Sequence, residues 1–83
     1  MELIEFISER KVVKTMHDID EAVSFAKQLR QARVENQDSI ESIWNNVGKF
    51  LKIDPFLPLT IRVRDLETKK IIAKKEVWKN TVK

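Results

Sequence analysis

Residues 38–53, DSIESIWNNVGKFLKI, decide how this chain folds. Ile40, Ile43, Trp44, Val47, Phe50 and Leu51 recur at helical spacing and make one wide apolar stripe. Asp38 followed by Glu41 supplies the residue types of a capping box, with Asp in place of the usual Ser or Thr. Gly48, the only glycine, sits beside Trp44 and Val47 on the stripe. Glycine within a helix is about 1 kcal/mol worse than alanine, so its presence implies a close backbone approach by a neighbouring element. The segment is the expected spine of a small α+β core.

Upstream, residues 19–34 carry a second helical pattern that buries Ile19, Ala22, Val23, Ala26 and Leu29, with Phe25 at its flank. Lys27, Arg30, Gln31 and Arg33 form its wet side. Asp18 and Glu21 repeat the acidic capping pattern, and Asp20 adds charge where the helix dipole favours it. One helix over residues 19–53 would span roughly 50 Å, too long for a compact domain of this size. Arg33, Asn36 and Gln37 are polar where such a helix needs apolar residues, and Asn36 tolerates a left-handed stop. Two helices are expected.

Strands flank the helices. Residues 2–7 and 12–16 read as an antiparallel hairpin around Ser8-Glu9-Arg10-Lys11, without the Gly or Asn of a tight primed turn. Its inward set is Leu3 or Ile4, then Phe6, with Val12 or Val13 opposite. Beyond Ile53 the two prolines of Asp54-Pro55-Phe56-Leu57-Pro58 force extended backbone. Phe56 and Leu57 there fold over the core as a lid or form an apolar contact patch. Leu59, Ile61 and Val63 alternate with Thr60, Arg62 and Arg64 as a half-buried strand, and residues 70–78 return beside it. In the return strand Ile71, Ala73 and Val77 share one face and Ile72 and Trp78 the other, so a one-residue slip exchanges the greasy and basic sides. Residues 79–83 fray. The order ββααββ predicts one domain over residues 1–83, a two-layer α+β sandwich with both helices on an antiparallel sheet of two hairpins.

Charge is uneven along the chain. The total is +3, while residues 1–54 carry −2 and residues 55–83 carry +5. A basic final third points to an acidic or polyanionic partner, or to lysines that keep a sheet edge from aggregating. No cysteine is present, so disulfides, thiolate chemistry and cysteine zinc sites are excluded, in keeping with a cytoplasmic location. No signal peptide or membrane helix is expected, and no membrane partner.

Signals for catalysis are nearly absent. His17 is the lone histidine, Asp18, Asp20 and Glu21 are explained by capping, and one glycine cannot build a phosphate loop. No catalytic residue, metal, cofactor or small-molecule ligand is therefore expected. In size, charge and element order the chain resembles ribosome-dependent ribonuclease toxins, without a catalytic motif to carry over. The two helices followed by a hairpin also resemble a winged-helix arrangement. Residues 25–43, FAKQLRQARVENQDSIESI, are similar to the opening helices of phage-repressor domains, but Asn45, Asn46 and Lys49 are the main base-reading candidates. A basic sheet face offers Arg62, Arg64, Lys74 and Lys75 for phosphates or acidic side chains, with Trp78 to stack a base. The expected function is a non-enzymatic binding domain that meets a protein partner, or a second copy, through a sheet edge or the basic hairpin. Nucleic-acid binding is the alternative.

Overall fold

The computed structural model describes residues 2–35 and 39–79 of the chain. Its elements run β1 (Glu2–Ser8), β2 (Lys11–Met16), α1 (Ile19–Glu35), α2 (Ile40–Gly48), β3 (Leu59–Asp65) and β4 (Ile71–Trp78). All four strands form one antiparallel sheet in the order β2-β1-β3-β4, so the two hairpins join through β1 and β3. Both helices lie on one side, with α1 contacting β2 and β4 and α2 packing beside α1. The architecture is the expected α+β sandwich. No helix among the described residues is long and apolar enough to cross a membrane.

The α1 start follows from Asp18, whose carboxylate accepts the N–H groups of Asp20 and Glu21 at 2.8 and 3.2 Å. Ala22, Ala26, Leu29 and Ala32 turn inward, whereas Ile19 and Val23 are exposed, contrary to the predicted stripe. Arg33 overturns its predicted wet position. It follows Ala22, Ala26 and Leu29 on the inward side and is only 7% exposed, with its guanidinium 4.8 Å from the Trp78 ring. Its Nη2 donates to the Lys79 carbonyl at 3.2 Å; residues 80–83 of the tail expected to fray lie outside the described residues. Burial lowers the guanidinium pKa from its ordinary value.

The two expected helices form, and α2 is shorter than its stripe. Its cap is Ser39, whose hydroxyl accepts the Ser42 N–H at 3.3 Å; the expected cap Asp38 and the expected stop Asn36 lie outside the described residues. After Gly48 the chain winds onto the Val47 carbonyl, which accepts from Phe50 and Leu51 at 3.0 and 2.9 Å. Ile43, Val47 and Leu51 are buried, while Ile40, Trp44 and Phe50 stay exposed. Among the described residues the neighbour expected against Gly48 is missing: a β-carbon there meets nothing within 4 Å, and the residue has no positive φ. Gly48→Ala should therefore stabilise the fold by about 0.5–1 kcal/mol, read as a higher melting temperature. A lower one would mean an approach that this packing lacks.

The core joins Ile4, Phe6, Leu29, Ile43, Val47, Leu59 and Val63. Phe25 on α1 meets Phe6 edge-on with centroids 5.4 Å apart, which fastens the helix to the sheet. Pro55 is fully buried, and Phe56 packs half-buried against the core beside Trp44. Asp54 shapes this crossing by accepting the Phe56 N–H at 2.9 Å. The turn from β3 to β4 is held by Asp65, whose carboxylate accepts from Glu67 and Thr68 at 2.7 and 3.2 Å. Those two backbone bonds hold its pKa below the ordinary value.

Candidate functional site

Register divides the sheet into two unlike faces. Ile4 opposite Val63, Phe6 opposite Ile61 and Ser8 opposite Leu59 face the helices. Leu3, Glu5, Ile7, Thr60, Arg62 and Arg64 alternate onto the opposite face, which neither α1 nor α2 covers. Val12 opposite Ile7, Thr15 opposite Glu5, and Ile71, Lys74 and Glu76 opposite Arg64, Arg62 and Thr60 extend that face to both edges.

The expected basic patch is thus divided. Arg62, Arg64 and Lys74 share the uncovered face, but Lys75 pairs with Ile61 and lies on the helix side with Val23, Ala26 and Arg30. Trp78 is buried against Arg33, and its indole N–H donates to the Leu57 carbonyl at 2.8 Å. No base can stack on a ring so placed. Phe56 and Leu57 are half-buried in the crossing that seats Trp78, so they form a lid more than an open patch. Nor does the β3–β4 hairpin stand free as a wing, because β3 is an inner strand.

Glu5 is the centre of the uncovered face, and residue reading missed it. It is 8% exposed and receives Nε of Arg62 at 3.0 Å and Nε of Arg64 at 3.3 Å. The Arg62 hydrogen bond, then that of Arg64, holds the Glu5 carboxyl below its ordinary value against the opposing effect of burial. Arg64 also donates Nη1 to the Lys69 carbonyl at 2.7 Å, so it is largely a structural cation. The only clue in the sequence is that position 5 falls between the inward Ile4 and Phe6.

Beside this pair lies a hollow of about 330 Å³ lined by Ile7, Arg10, Val12, Thr60, Arg62 and Lys74. Arg10 was not a candidate, because a turn arginine carries no sign of the face it will serve. A larger hollow of about 460 Å³ lies on the helix side, lined by Val13, Trp44, Gly48 and Ile53 with Lys11 and Lys52 balanced by Glu9 and Asp54. Only the first has charges of a single sign. Among the described residues no group of His, Asp and Glu gathers as a metal site. The uncovered face sets cations among aliphatic side chains, and among the described residues no nucleophile–base pair lies on it.

Comparison with protein-family models, with curated proteins and with solved structures finds no match.

Proposed function

We propose that this is a non-enzymatic binding domain whose uncovered sheet face receives an acidic, partly apolar segment of a protein partner. The observation that carries this is the face's composition: Arg10, Arg62 and Lys74 set among the aliphatic Leu3, Ile7, Val12 and Ile71, with Arg64 braced by Glu5 and the Lys69 carbonyl and Glu76 as the second acid. A complementary surface alternates carboxylates with leucine-like side chains. Single-stranded nucleic acid fits less well, because stacking platforms need aromatic rings and the described residues place none on this face. Self-association through the same face sets like charges against one another.

Strand addition at the sheet edges is also disfavoured. Both edge strands carry irregular register, between Phe6 and Ile7 where β2 pairs and at two places where β4 pairs. Lysines 11 and 14 on β2 and 74 and 75 on β4 reinforce this, and both features discourage a further strand. The absence of cysteine supports a cytoplasmic setting for the domain.

The test is an anisotropy titration with a labelled synthetic peptide bearing leucine and glutamate at helical spacing. Saturable binding is expected, weakening as salt is raised, and tighter than binding of duplex DNA or single-stranded RNA at equal ionic strength. Indifference to the peptide, or preference for either nucleic acid, would overturn the reading.

A further inference from the structure

The hollow on the uncovered face has more construction than a chance meeting of cations. Arg10 reaches it from the first hairpin turn, where Glu9 and Arg10 both hold left-handed backbone at φ 54° and 66°. Two-residue turns of this kind favour Asn-Gly, and side chains with a β-carbon are disfavoured at both positions. Strain retained in this way directs attention to what the side chains do. The turn sends them apart, Arg10 to this hollow and Glu9 to the one on the helix side.

The other cations are placed as deliberately. Glu5 holds Arg62 through Nε at 3.0 Å, and the Arg62 terminal nitrogens make no hydrogen bond to a described residue. Lys74 pairs with Arg62 across the ladder, and neither it nor Arg10 forms an ion pair with a described residue. Thr60 adds a hydroxyl, and Ile7 and Val12 add aliphatic surface.

From this geometry we infer that the hollow is a subsite for a phosphate monoester, carried on a serine or threonine of the segment the face binds. It rests on the function proposed above and names the chemistry of one part of the same surface. A carboxylate brings one charge and two oxygens, whereas a phosphate monoester brings nearly two charges and three strong acceptor oxygens. Two cations without carboxylate partners and the free end of a third match the phosphate better. Ile7 and Val12 suit the apolar neighbours of the modified residue.

The test compares two versions of the leucine–glutamate peptide, one with phosphoserine in place of a glutamate. The phosphopeptide should bind about tenfold tighter, with amide shifts concentrated at Arg10, Thr60, Arg62 and Lys74. Glu9→Asn/Arg10→Gly should raise the melting temperature by relieving the turn, yet cancel the phosphate gain. Loss of that gain in a more stable protein cannot be a folding defect. Equal affinity for the two peptides, or a gain that survives in that variant, overturns the phosphate subsite and leaves the acidic-segment reading standing. Failure of both peptides to bind overturns both.

Discussion

Trp78→Ala should destabilise the fold by about 3–5 kcal/mol, the largest effect expected of any single change discussed. The ring is 6% exposed, covers the Arg33 guanidinium at 4.8 Å and satisfies the Leu57 carbonyl at 2.8 Å. Truncation removes the apolar contact, opens a cavity and leaves a buried arginine without its cover. For 83 residues the whole stability is on the order of 4–12 kcal/mol, so the variant should lose a large fraction of it and unfold at a much lower urea concentration. Trp78→Phe separates the contributions: it keeps most of the ring but strands the carbonyl, at a cost of about 1–2 kcal/mol. Urea denaturation measures both. A Trp78→Ala protein with unchanged stability and lost ligand binding would make Trp78 a recognition residue and refute its placement.

Glu5→Gln should cost about 1–3 kcal/mol at neutral pH. Breaking a buried ion pair can cost 3–5 kcal/mol, but the Arg62 and Arg64 side chains are 22% and 28% exposed, so water takes over part of the lost interaction. The pH dependence has a definite sign. The folded Glu5 pKa lies below its ordinary value of 4.5, so its stabilisation is complete above that value and is lost as pH falls through the lower folded one. The gap between wild type and Glu5→Gln should therefore be widest near neutrality and close in acid. The same change removes negative charge from the face, so it should tighten binding of the acidic peptide while weakening the fold. A variant as stable as wild type across the pH range would contradict the bonding of this pair.

Much of the fold was legible because periodicity reports burial directly. The element order, the Asp18 cap and the inward Phe6 all followed from patterns within a few residues, whereas the choice between Leu3 and Ile4 needed the sheet register, which turns Ile4 inward. Irregular register was not legible. In β4 the shift between Leu59 and Thr60 lets Val77 and Trp78 both turn inward, and that between Val63 and Arg64 displaces Ile72. Strict alternation cannot express either, and it made Trp78 a stacking candidate. Arg33 was misplaced because a long cation was counted as polar, although its stem and flat head can cover an aromatic ring. Gly48 was over-read, since a helix-terminal glycine can face open space. The candidate site was half visible: β3 alternation put Arg62 and Arg64 together, whereas Arg10 and Glu5 join them only through turn and sheet geometry.

Binding through the uncovered sheet face is separated from a diffuse charge effect by two adjacent lysines on opposite faces. Lys74→Glu and Lys75→Glu change net charge equally, but only Lys74 shares the face of Arg62. In an anisotropy titration with the leucine–glutamate peptide at physiological salt, where fields fade over about 8 Å, Lys74→Glu should weaken binding about tenfold. Lys75→Glu should leave it within about twofold. Equal losses in the two variants, or the larger loss at Lys75, would contradict binding through that face.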